Sequence, residues 1–208
     1  MNKKNKIKTL LKFLKERYGY PEFSKDPFKL LITTILSQRT KDENTYRASK
    51  NLFSVVSTLR DIIKLPRKKL EELIKPSGMY RQKAERIVKV CKILIKKYGG
   101  KVPQTRSELM DLPGVGYKTA DIVLSYGFGV PTIAVDTHVN RISKRIGLVR
   151  KEADVEEVRK TLESLVFGKD RFLINVGLIR FGQEICRPVR PKCSECPIKN
   201  ICDSYNNF

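Results

Sequence analysis

Apolar residues three and four positions apart recur along most of this chain, and that spacing restricts its fold more than any other feature. TLLKFLKERYG, DPFKLLITTILSQ, STLRDIIKL, RKKLEELIK and QKAERIVKVCKILIKKYGG each carry it, and each is bounded by Pro, Gly, Ser or Asp. A backbone turning every 3.6 residues gathers such positions on one face, which must be buried against a neighbour. No segment alternates apolar and polar residues between hairpin turns, so the reading is all-α. Asp26 before Pro27 marks a helix start, with proline at the first helical position. A chain of 208 residues can bury one good core or two small ones. The expected seam is GFGVPT, from Gly127 to Thr132, where Gly and Pro interrupt the helical pattern.

Lys and Arg number 43 against 22 acidic residues, and the formal charge of +21 sets up a field that concentrates polyanions at the surface. Nucleic acid is the expected partner. The competing reading is a basic thermophilic protein whose lysines serve solvation, in keeping with its Lys and Ile content and only four Gln. No apolar run approaches the length of a membrane span, and MNKKNKIKTLLKFLKERYG lacks the unbroken apolar core of a secretory signal. A cytosolic protein with no membrane partner is expected.

In LMDLPGVGYKTADIVL, Gly114 and Gly116 permit a tight turn between two short helices and let a ligand approach the backbone, with Val115 between them. Amide groups at the start of the second helix suit an anion, and phosphate is the natural one here. Lys118 has two readings. As a surface residue three positions before Asp121 it forms an ordinary helix ion pair. As a nucleophile it needs its neutral amine favoured by desolvation or by neighbouring positive charge. Asp136 follows the apolar TIAV and opens a helix, so spacing alone favours a simple N-cap. His138, the only histidine, reads as a packing or hydrogen-bonding residue.

Four of the five cysteines, Cys186, Cys193, Cys196 and Cys202, fall in the last 23 residues with the spacing C-x6-C-x2-C-x5-C. Four soft ligands so close together point to a metal. Structural zinc commonly uses two CxxC knuckles and this stretch has one, whereas a cubane iron–sulfur cluster tolerates uneven spacing; both remain open on spacing. Cys91, alone in VKVCKILI, reads as a core thiol. Arg187, Arg190 and Lys192 lie between the first two clustered cysteines, in a loop stiffened by Pro188 and Pro191, and form a candidate phosphate grip.

LPGVGYKTA, TIAVDTH and the cysteine spacing, in that order, resemble the endonuclease III family of base-excision DNA glycosylases. ILSQRTKDEN, GMYRQKAERI and GKVPQTRSELMDLPGVG extend the likeness over nearly the whole chain from about residue 20. The resemblance implies two helical lobes: a six-helix barrel over residues 20–130 with the helix-hairpin-helix, and a second lobe of residues 1–19 and 131–208 carrying a [4Fe-4S] cluster on the four cysteines. It implies a monomeric, nucleoid-associated protein of prokaryotic type acting on damaged double-stranded DNA, and a thermophilic archaeal source is one reading that the composition leaves open. Lys118 aligns with the family's nucleophile, which forms a Schiff base at the sugar of a flipped nucleotide, and Asp136 with its essential carboxylate. Gly114, Val115 and Gly116 align with the DNA-contacting hairpin. Arg39 stands where the family commonly has the glutamine that fills the gap left by the extruded base, with Gln38 adjacent. Met79 matches an apolar wedge. The expected reaction is removal of oxidised pyrimidines followed by β-elimination. The alternatives are a thymine or uracil mismatch glycosylase, a non-catalytic helix-hairpin-helix DNA-binding module, and a redox sensor built on the cluster.

Overall fold

The computed structural model describes residues 1–24 and 26–207, and among these there is no β-strand. The all-α expectation is borne out. The chain forms two compact units, one comprising Met1–Glu22 together with the residues from Val130 onward, the other Phe23–Gly129. The second passage between units falls at Gly129 and Val130, inside GFGVPT.

Helix α1 (Lys3–Tyr18) opens the first of these units. The unit Phe23–Gly129 then contains α2 (Pro27–Ser37), α3 (Asp42–Phe53), α4 (Leu59–Lys64), α5 (Arg67–Ile74), α6 (Tyr80–Tyr98), α7 (Arg106–Met110) and α8 (Tyr117–Ile122). Asp26 caps α2 by accepting from the Lys29 N–H, and Pro27 sits in its first turn. Phe28, Leu31, Ile32, Ile35 and Leu36 are all buried, so α2 is the central helix of this unit and packs on α3, α6 and α8. In α6 the buried Ala84, Ile87, Cys91 and Leu94 make one stripe, and Gly99 ends the helix in the left-handed region with φ 59°. Cys91 lies wholly inside, and burial pushes its thiol up to about 12.

The other unit continues with α9 (Thr137–Arg145), α10 (Val155–Leu165) and α11 (Asp170–Glu184). Its core joins Ile7, Leu10 and Leu14 of α1 to Ile142 of α9 and Leu178 and Phe181 of α11. Gly177 allows the close approach of α1 and α11: a Cβ there would stand 3.0 Å from Leu14 Cδ2. No helix of the described residues is long and apolar enough to cross a membrane.

Candidate functional site

The hairpin is made by α7, a turn and α8. Gly114 has φ 77°, and a Cβ there would lie 2.1 Å from Arg86 Cδ, so the position demands glycine for conformation and for space. Val115 donates its N–H to the Leu112 carbonyl at 3.0 Å and buries its side chain, while Gly116 adopts extended backbone as the α8 N-cap with no side-chain cap. Arg106 of α7 donates through Nε to Asp121 Oδ1 of α8 at 2.8 Å, and its Nη2 contacts the same oxygen. Asp121 is 1% exposed. That pairing clamps the two helices and overturns the simple reading of Lys118 as a helix ion pair with Asp121. Among the described residues no carboxylate pairs with Lys118, whose side chain is exposed in the first turn of α8. Behind it Ala120, Val123 and Leu124 are buried, and α8 widens into a π-helical turn over Val123–Gly127.

In the same unit Gln38, Arg39, Met79, Gln82, Lys83 and Arg86 line one concavity. Gln38 bridges inward: its Nε2 donates to the Gly114 carbonyl at 2.8 Å and its Oε1 accepts from Arg86 Nη1 at 2.9 Å. Arg39 is exposed and Met79 is 48% exposed. Both have left-handed backbone, φ 53° and 45°. The one other described non-glycine residue with positive φ is Arg190, at 48°. Side chains rarely tolerate that region, and such strain gathers at functional positions. Beneath the concavity lies Lys83, 2% exposed, whose amine burial and the nearby Arg86 lower to about 8. It is still mainly an ammonium at neutral pH. Sequence reasoning passed over Lys83, although its place four residues before Ile87 on the apolar face of α6 was a signal.

In the other unit the segment before α9 is fixed from behind. Glu163 Oε1 accepts from Thr132 Oγ1 at 3.0 Å and from the Ile133 N–H at 3.2 Å, and Asn175 Nδ2 donates to the Ala134 carbonyl at 2.9 Å. Asp136 emerges half-buried from this support. Its Oδ1 caps α9 by accepting from the Val139 N–H at 2.8 Å, and its other oxygen accepts no hydrogen bond from a described residue. His138 Nδ1 lies 3.1 Å from Arg141 Nη2, a hydrogen-bonding place.

Cys186, Cys193, Cys196 and Cys202 line one cavity with Phe181 and Ile198. Among the described residues no three His, Cys, Asp or Glu side chains converge closely enough for one metal ion. Arg145 Nη1 donates to Cys186 Sγ at 3.4 Å and to the Arg187 carbonyl at 2.6 Å, and its Nη2 donates to the Pro188 carbonyl at 3.0 Å. Arg141 Nη2 donates to the Cys186 carbonyl at 2.9 Å. Two guanidinium groups on α9 thus hold the loop on which Arg187, Arg190 and Lys192 are all exposed.

A family model described as HhH-GPD superfamily base excision DNA repair protein matches residues 32–167. Endonuclease III of Thermotoga maritima is 48% identical over 202 residues, covering 96% of this chain and 93% of the relative. This chain belongs to the endonuclease III family. Two solved structures extend the likeness to the whole chain. A non-covalent endonuclease III–DNA complex superposes with a TM-score of 0.92 at 40% identity, covering 100% of this chain and 98% of that one. A trapped endonuclease III–DNA covalent intermediate, an estranged-adenine complex, gives 0.91 at 40% identity, with coverage of 100% and 99%. Against that family background, Arg39 of this chain is exposed while Gln38 is engaged with the hairpin.

Proposed function

We propose that this chain is a bifunctional DNA glycosylase and abasic-site lyase that removes oxidised pyrimidines from duplex DNA and nicks the strand 3′ to the lesion. The observation that carries the reading is the exposed Lys118, with no carboxylate partner among the described residues, on a hairpin clamped by Arg106 and Asp121. The likeness to a trapped covalent endonuclease III–DNA intermediate supports the same chemistry. The Lys118 amine attacks C1′ of the flipped nucleotide with its lone pair, and the base leaves with the glycosidic electron pair and takes up a proton. The nitrogen gives up a proton, its lone pair then forms the C1′=N bond as the C1′–O4′ bond breaks, and O4′ takes up a proton, which leaves the ring-opened Schiff base. Removal of a C2′ proton then expels the 3′ phosphate by β-elimination. Asp136 uses one oxygen to cap α9, and the role inferred for its charge is to oppose the positive charge that develops on the sugar.

Cys186, Cys193, Cys196 and Cys202 would hold a [4Fe-4S] cluster. Four thiols around one cavity, with no three close enough for a single ion, suit a group with several metal atoms better than one zinc. Bound there, the cluster would supply structural cross-linking of the C-terminal loop. Arg187, Arg190 and Lys192 then address phosphates, as do the backbone groups of the Gly114–Gly116 turn. Arg39 fills the space of the extruded nucleotide and Met79 wedges the stack. Left-handed backbone at Arg39, Met79 and Arg190 is consistent with residues held for contact rather than for packing. The test is a cleavage panel of duplexes carrying thymine glycol, 5-hydroxycytosine, uracil, a G:T mismatch or an abasic site. Cleavage of the two oxidised pyrimidines and the abasic site supports the reading; preference for G:T or uracil replaces it with the mismatch glycosylase.

A further inference from the structure

Among the described residues of the unit Phe23–Gly129, Lys83 is the only buried lysine. A buried ammonium is costly unless every N–H finds an acceptor. Here all three do. Nζ donates to the Leu36 carbonyl at 2.7 Å, to Thr40 Oγ1 at 2.9 Å and to the Ser77 carbonyl at 2.7 Å. None of these partners is a carboxylate, so the lysine is not half of a buried ion pair, and an apolar side chain of the same length would satisfy packing alone. What the ammonium adds is a tie between the last turn of α2 with the residues after it and the separate segment at Ser77. Leu36 and Thr40 bracket Arg39, and Ser77 lies two residues before Met79. Thr40 Oγ1 also contacts the Ser77 carbonyl, closing the connection directly.

Both bracketed residues occupy backbone that side chains avoid, and such conformations persist only where surrounding contacts over-determine them. We propose that Lys83 is a positioning residue for duplex recognition: its ammonium fixes the Leu36–Thr40 and Ser77–Met79 segments so that Arg39 and Met79 are presented together at one concavity. The inference rests on the reading that Arg39 and Met79 enter the duplex. It separates two stages of the reaction. Displacing a nucleotide from a paired strand needs both residues in place, whereas Schiff-base chemistry at an abasic site in single-stranded DNA has no stack to wedge and no partner base to satisfy.

The experiment compares single-turnover strand cleavage on a thymine glycol duplex with cleavage of a single-stranded abasic oligonucleotide, read as a ratio of rates. Lys83→Met is expected to lower the duplex-to-single-strand ratio by about 100-fold, the scale of a misplaced contact group. General destabilisation lowers both rates alike and leaves the ratio where it was. A Lys83→Met ratio equal to that of the parent protein therefore overturns the proposal. Should Lys83→Met not fold, Thr40→Val removes the hydroxyl that links the two segments and must lower the ratio in the same direction, or the proposal fails. Arg39→Ala and Met79→Ala run alongside. If neither lowers the ratio, the reading of those two residues is wrong and the role of Lys83 falls with it. If they lower it and Lys83→Met does not, the role of Lys83 alone is refuted.

Discussion

Replacing Asp136 by Asn separates the helix cap that this side chain makes from the catalytic role proposed for it. Its Oδ1 caps α9 at 2.8 Å from the Val139 nitrogen, and asparagine, whose amide oxygen can take that place, caps a helix about as well as aspartate. The Asn variant should therefore melt within about 1 °C of the parent, since a cap change of a few tenths of a kcal/mol is small for a chain of this size. Asp136→Ala loses the cap, worth ~1 kcal/mol, and should melt roughly 2–4 °C lower. Both variants lose the charge carried by the oxygen that no described residue engages. Losing one such electrostatic contact in a transition state costs about 100-fold or more, close to 2.7 kcal/mol of barrier. Single-turnover base release from a thymine glycol duplex at saturating enzyme, beside thermal denaturation followed by circular dichroism, measures both quantities. Near-normal base release in the Asn variant would reduce Asp136 to a helix cap and refute its catalytic role.

Four further outcomes follow from other parts of the molecule. Purified protein should carry iron with broad absorption near ~400 nm, and Cys91→Ser should keep both, because that thiol is packed in the core of its own unit, which does not contain the four clustered cysteines. With its thiol pushed up to about 12, Cys91 stays protonated at pH 8 and should resist alkylation until the protein unfolds; rapid labelling of the native protein would contradict its burial. If roughly five phosphates are neutralised, log K for DNA falls with log salt at a slope of about −4.5, and replacing Arg187, Arg190 and Lys192 by Ala should make the slope shallower without loss of iron. Arg39→Gly should raise stability by up to ~1 kcal/mol by relieving the left-handed backbone at φ 53°, while lowering duplex cleavage; a destabilised variant would show that Arg39 is held by packing instead.

The helices with clean spacing were legible in the sequence. Those of α1, α2, α4, α5 and α6 follow from apolar residues three and four apart, and Asp26 with Pro27 located the start of α2 because that pair satisfies the first turn. Helix α11 was not singled out: Phe172, Leu173, Ile174, Leu178 and Phe181 bury several sides of it at once, and a helix buried all round has no apolar stripe to read. The hairpin and the cysteine spacing were visible as motifs, but not the partner of Asp121, since Arg106 reaches it from the preceding helix. Nor does any residue type announce left-handed backbone at Arg39, Met79 and Arg190, where glycine would be the ordinary choice. Lys83 was legible only as an anomaly, a charge on an apolar face, and its acceptors come from two stretches far apart in the chain, one at Leu36 and Thr40 and one at Ser77.

The central claim is that the Lys118 amine is the nucleophile. Borohydride reduction during reaction with a damaged duplex reports it most directly, because it converts a Schiff base into a stable enzyme–DNA adduct. The parent protein should be trapped, and Lys118→Gln should give no adduct while keeping its helical content and its affinity for DNA. An adduct formed by Lys118→Gln at the parent's rate would contradict the account, and the nucleophile would then be another amine.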